Sequence, residues 1–133
     1  MASYIDASAA AKLVIEEPES RALARWMTRK GRISVTSDLT RTELLRATRR
    51  FASDRMSEAR AVLDVMTVLT VSTSVFERAA TLDPESLRSL DAIHLASALE
   101  LGDQLDSLVT YDSRLAEAAR AYGISVVAPG AGA

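Results

Sequence analysis

Four carboxylates stand where their chemistry is hard to explain by solvation alone. Asp6 and Asp112 each follow a short β-prone run, in Tyr4-Ile5-Asp6-Ala7-Ser8 and Thr110-Tyr111-Asp112-Ser113. Asp91 stands near the head of Leu90-Asp91-Ala92-Ile93-His94-Leu95-Ala96-Ser97-Ala98-Leu99, which Gly and Pro never interrupt. A helix apolar on nearly all sides is a buried helix. A carboxylate carried into it costs on the order of several kcal/mol unless a cation or hydrogen-bond donors meet it. The positive end of the helix supplies only about 0.3–1 kcal/mol. Glu43, in Thr40-Arg41-Thr42-Glu43-Leu44-Leu45-Arg46-Ala47, borders the apolar stripe of another helix. Four acids gathered at one place repel one another and take up either protons or a cation. Without Cys, and with a single His, oxygen donors favour a hard ion such as Mg²⁺ or Mn²⁺.

Each of these residues also has a simpler explanation. Asp6 and Asp112 fit N-caps of the helices that follow them. Glu43 could pair with Arg46 or Arg50, an exposed helical ion pair worth well under about 1 kcal/mol. Asp38 fits a helix cap. His94, one turn after Asp91, fits a packed or hydrogen-bonded helix residue better than a ligand. Trp26 and Met27 fit the core, or a face for a partner.

Positioning four acids together requires a particular scaffold. Ser3–Asp6, Ile33–Thr36, Val68–Ser72, Asp106–Tyr111 and Ile124–Ala128 read as strands, by alternation and β-branched content. Helices are predicted between them: from Ala9 to Ile15 with Ser8 as cap, Glu19 to Lys30 closed by Gly31, about Asp38 to Ser53, Ser57 to Met66, Val75 to Leu82, Leu90 to Gly102, and a last one around Leu115 to Tyr122. Strands alternating with helices imply a parallel sheet covered on both faces, hence a three-layer α/β/α domain of about five strands. With the chain winding outward in both directions from the first strand, the reversal lies beside that strand, and ligands bind at its carboxyl end. Asp6 and Asp112 then overlook one crevice, with Asp91 and Glu43 at helix starts nearby. One domain is expected over residues 1–128, with 129–133 as a disordered tail.

Composition narrows the class. The chain has 133 residues, 48% of them apolar, which suits one globular domain. The absence of Cys excludes a disulfide scaffold, a thiolate zinc site and a Cys nucleophile. Met-Ala-Ser-Tyr-Ile-Asp has no basic segment followed by an apolar run, so no signal peptide is expected. No apolar run approaches the roughly 20 residues that cross a bilayer, and a cytoplasmic protein without membrane association is the expectation. Net charge is −2, but residues 21–60 carry 11 Lys/Arg against 4 Asp/Glu, and the remainder 5 against 14. A basic half beside an acidic one suits a polyanion docking near a carboxylate cluster; an Arg-rich solvated helix face is the plainer alternative.

Taken together, Tyr4-Ile5-Asp6-Ala7-Ser8-Ala9, Thr40 to Ala47, Leu90 to Ala96 and Thr110-Tyr111-Asp112-Ser113-Arg114-Leu115 resemble the acidic signatures of PIN-domain ribonucleases, most closely the VapC-type toxins of prokaryotic toxin–antitoxin pairs. The resemblance runs from Ser3 to about Val127. It implies a PIN-like fold and a metal-dependent endoribonuclease in which Asp6, Glu43, Asp91 and Asp112 hold one or two Mg²⁺ or Mn²⁺ ions. Such an ion lowers the pKa of a bound water and neutralises charge on the phosphorane, without a covalent enzyme intermediate. Glu43 or Asp112 could orient or deprotonate that water. Ser8 and Thr110 would hold carboxylates in place, and Arg88 and Arg114 could touch phosphates. The resemblance also implies RNA as substrate, a VapB-type antitoxin as partner, and a homodimer. Three other functions share some of these features. A receiver-like phosphoacceptor domain needs a lysine near the end of the sheet, and only Lys12 and Lys30 exist. A catalytically inactive acidic-pocket binding module would not need all four acids. A dehalogenase-like phosphatase needs an acid two places after its nucleophilic Asp, where this chain has Ser8.

Overall fold

The computed structural model describes residues 1–132. Five strands form one parallel sheet: β1 (Ala2–Ile5), β2 (Ile33–Ser37), β3 (Thr67–Leu69), β4 (Leu105–Val109) and β5 (Val126–Val127). Their order is β3-β2-β1-β4-β5, so the chain winds outward from β1 in both directions, as the alternation of elements requires. Among the described residues, seven α-helices cover it: α1 (Ala7–Lys12), α2 (Ser20–Met27), α3 (Asp38–Phe51), α4 (Met56–Asp64), α5 (Thr73–Ala79), α6 (Ser89–Leu99) and α7 (Ser113–Ala121).

Because successive strand residues point to opposite faces, the two central strands feed two cores. Ile5 and Val109 join Ala9, Leu23, Leu44 and Leu63 under α1–α4. Tyr4 and Leu108 join Leu95, Ala98, Leu115 and Ala119 under α6 and α7. A third cluster, Val75, Ala79, Ala92 and Ala96, seats α5 on α6. Helix α6 is thus covered on two sides, and residues 94–98 are all buried. Its first turn is different: Ser89 and Leu90 are exposed and Asp91 is half-buried.

Several boundaries differ from the sequence reading. Helix α1 starts earlier, at Ala7, and its cap is Asp6 rather than Ser8, because the Asp6 carboxylate accepts from the Ala9 amide. Helix α2 stops at Met27, ahead of the Gly31 that the sequence pattern assigns to its end. Strand β3 is shorter than predicted and ends at Leu69; Ser72 instead caps α5, accepting from Val75 N–H at 3.4 Å. Past β5, the Tyr111 hydroxyl donates to the Pro129 carbonyl at 2.7 Å.

Candidate active site

The register of β1 against β4 pairs Ile5 with Val109, so the next residues, Asp6 and Thr110, meet at the carboxyl edge of the sheet. The Asp6 amide donates to the Val109 carbonyl at 3.2 Å. Asp6 is 3% exposed. Its Oδ1 accepts from the Ser8 hydroxyl at 2.7 Å and the Ala9 amide at 2.9 Å, and its Oδ2 from the Thr110 hydroxyl at 2.5 Å. Ser8 and Thr110 are themselves fixed: Ser8 Oγ accepts from the Tyr111 amide and Thr110 Oγ1 from the Asp112 amide, both at 3.0 Å. One hydrogen-bonded knot therefore joins the loops after β1 and β4.

Asp112 caps α7, its Oδ1 accepting from the Arg114 amide at 2.9 Å and the Leu115 amide at 3.0 Å. Capping and site duty are compatible, because one carboxylate oxygen serves the helix and leaves the other free. Asp91 lies in the first turn of α6. Asp6, Ser8, Glu43, Arg88, Asp91, His94 and Asp112 all line one cavity of about 320 Å³. Arg114 does not: it lines a separate cavity of about 700 Å³ between the segment around Asp83–Leu87 and α7.

Glu43 pairs with neither Arg46 nor Arg50. Its Oε1 lies 2.6 Å from His94 Nε2, joining α3 on one face of the sheet to α6 on the other. His94 Nδ1 lies 2.9 Å from the Tyr4 hydroxyl, which donates to Ser37 Oγ at 2.8 Å. Burial pushes the Tyr4 hydroxyl up to about 12, so it stays protonated. Among the groups around the cavity, Tyr4 and Ser37 were not legible in advance, because nothing local marks them. Tyr4 reads as an ordinary inward strand residue, and its partner is 90 positions away.

The electrostatics of the cavity are unbalanced. Burial raises the Asp6 carboxyl above its ordinary value, against the pull of Thr110 and His94. Asp91 is raised too, first by burial and then by the neighbouring Asp112 charge. Among the described residues, no ion pair reaches Asp6, Asp91 or Asp112. The donor set is oxygen-rich and short of positive charge, so it suits a hard divalent cation in kind and in charge. In the side-chain positions of this structure, and among the described residues, no three acid or imidazole groups close on a common point at ligand distance.

A five-stranded parallel sheet of this order, with acids at its carboxyl edge, defines an open α/β domain with an acidic site where the strand order reverses. The PIN domain model matches residues 3–121. Ribonuclease VapC47 of Mycobacterium tuberculosis is 42% identical over 132 residues, covering 96% of this chain and 97% of that protein. Ribonuclease VapC46 of the same species is 43% identical over 129 residues, at 96% and 98% coverage. The chain belongs to the PIN-domain family, among its VapC members. In fold it is similar to M. tuberculosis VapC20, described as a Sarcin-Ricin loop cleaving toxin, at TM-score 0.76 and 20% identity, covering 96% of this chain and 99% of that one. A toxin-antitoxin complex from Klebsiella pneumoniae superposes at TM-score 0.72 with 22% identity, covering 96% and 97%.

Proposed function

We propose that this protein is a divalent-cation-dependent endoribonuclease, the toxin of a toxin–antitoxin pair, with Asp6, Glu43, Asp91 and Asp112 holding Mg²⁺ or Mn²⁺. The observation that carries this reading is the single cavity lined by all four acids with no cationic partner for three of them. The ribonuclease names of relatives about as similar as 42–43% support it independently.

Each group then has a task. Asp6 is the fixed point: three donors hold its carboxylate, which leaves it little rotamer freedom to lose when a ligand arrives. Ser8 and Thr110 transmit that rigidity to the Asp112 loop. Asp91 contributes charge from the first turn of α6. Asp112 offers the oxygen that α7 does not use. Arg88 lines the same cavity and would meet a phosphate there. Bound among these carboxylates, a divalent ion would supply charge neutralisation at the phosphate and a more acidic water. Glu43 or Asp112 would orient that water.

The basic half supports a polyanionic substrate. Arg46, Arg49, Arg50 and Phe51 surround a groove of about 600 Å³ on α3. None of the three arginines forms an ion pair among the described residues. Arg46 and Arg50 stand three and seven residues beyond Glu43, on its side of the helix. This suits single-stranded RNA phosphates running from the groove to the acids. Of the two lysines, Lys12 lies in α1 and is held by Glu17 and Glu19 at 3.2 and 2.9 Å, which does not favour a phosphoacceptor site. We propose further that a VapB-type antitoxin is the partner, that the chain acts as a homodimer in the cytoplasm, and that residues 1–128 form the single functional domain. Among the described residues, no helix is long and apolar enough to cross a membrane.

The test is RNA cleavage by purified protein, wild type against Asp91→Asn, with Mg²⁺ and with EDTA. Cleavage lost in the variant and in EDTA, with unfolding curves unchanged in shape, is the expected result. Full activity in either condition refutes the metal mechanism. Co-expression with the neighbouring reading frame should relieve growth inhibition.

A further inference from the structure

We infer that His94 is a positioning residue: with Tyr4 behind it, it holds the Glu43 carboxylate at the acid cavity. The inference rests on the reading of Glu43 as one of the ion-holding acids. Hydrogen-bond accounting carries it. The Tyr4 hydroxyl has one proton, given to Ser37 Oγ. Toward His94 it therefore accepts, and Nδ1 of the imidazole carries a hydrogen. The opposite nitrogen, Nε2, makes the 2.6 Å contact with Glu43 Oε1; a carboxylate only accepts, so Nε2 carries a hydrogen as well and the ring in this arrangement is an imidazolium, a donor on both sides. Both ring nitrogens are thus committed, and neither is left to ligate an ion.

The support is rigid where the supported group is not. His94 is 2% exposed, and its ring meets Tyr4 edge-on, 5.9 Å between centroids. Tyr4 is wholly buried. The Glu43 side chain is 29% exposed, on a helix that carries Arg46 one turn and Arg50 two turns further on. Without His94, Glu43 is free to swing toward Arg46 or Arg50 and away from the acids. Groups that orient a metal-binding carboxylate in this way change metal affinity about 10–100-fold when removed.

Two half-imidazoles separate this role from space-filling. A Gln amide nitrogen reaches the position of Nε2, whereas an Asn amide nitrogen reaches that of Nδ1. His94→Gln keeps a donor toward Glu43 and loses Tyr4; His94→Asn does the reverse. Mn²⁺ is titrated into EDTA-stripped protein and free ion is read by electron paramagnetic resonance, with unfolding followed in the same samples. We expect His94→Gln to bind Mn²⁺ within about threefold of wild type and His94→Asn to lose about 10–100-fold, while the two ion-free variants unfold at similar temperatures. The Mn²⁺ needed for half-maximal RNA cleavage moves by the same factors. Tyr4→Phe, which removes only a hydroxyl, weakens Mn²⁺ binding by a smaller factor. Equal Mn²⁺ affinity in the Gln and Asn variants, whether both intact or both lost, overturns the positioning role. An unchanged affinity in Tyr4→Phe overturns the part given to Tyr4. Wild-type protein that fails to bind Mn²⁺ overturns the proposed function itself, and this inference with it.

Discussion

Replacing Asp6 by Asn tests whether the cavity is built for a missing positive charge. Asn keeps an oxygen for the Ser8 hydroxyl and the Ala9 amide but puts an NH₂ where Oδ2 accepts from Thr110. A hydrogen bond to a charged group contributes about 1.5–3 kcal/mol, and that much is lost. Against it stands the penalty of a buried charge with no ionic partner, several kcal/mol per ion even after relaxation and water penetration, on the order of 3–5 kcal/mol. The charge term is the larger. Ion-free Asp6→Asn is therefore expected to be about 1–2 kcal/mol more stable than wild type at pH 7. At about 3–5 °C per kcal/mol for a chain of this length, that is a rise of several degrees in Tm. The pH dependence has a definite sign. The folded carboxyl lies above the ordinary 3.8, so its stabilising contribution is complete below that value and is lost as pH rises through the raised one. The difference between variant and wild type should thus open as pH increases from about 4 and stay level afterwards. Mg²⁺ at about 100 times its Kd should add about 2.7 kcal/mol to wild type and much less to the variant. Thermal unfolding by circular dichroism, with EDTA and with Mg²⁺, over pH 4–8, measures all of this. A variant less stable than wild type by about 2 kcal/mol at every pH would show an amply compensated helix cap, and the charge argument would fail.

Other perturbations probe neighbouring links. Thr110→Val removes both the donor to Asp6 and the acceptor for the Asp112 amide; Mn²⁺ affinity should fall about 10–100-fold, measured by calorimetry, and an unchanged affinity would mean that the knot is dispensable. The double change Arg46→Gln and Arg50→Gln should weaken RNA binding and flatten the plot of log K against log salt by about 1.4, at about 0.7 per single-strand phosphate; an unaltered slope places the RNA elsewhere. Leu95→Ala, at a fully buried position beneath the sheet, should cost about 2–5 kcal/mol in urea unfolding while leaving the Mn²⁺ affinity of the folded protein unchanged.

The chain alone determined the architecture and the position of the acids along it. Strand periodicity, helix punctuation and their strict alternation leave one economical topology, and the observed order β3-β2-β1-β4-β5 is that topology. An acid directly after a strand falls at the carboxyl edge by local geometry, so Asp6 and Asp112 were readable from short segments. Local rules offered both Ser8 and Asp6 as the α1 cap and did not choose between them, because the competition for the first turn depends on Thr110 and Tyr111, contributed by a distant loop.

Tertiary structure alone decided whom the side chains meet. Glu43 had arginines within one and two turns, yet its partner is His94, 51 residues away, because the fold brings α3 and α6, from opposite faces of the sheet, into contact. Tyr4 reached the same edge through a contact spanning 90 residues. Such pairings depend on how layers seat against one another, a property of the packed volume that no window of the chain contains.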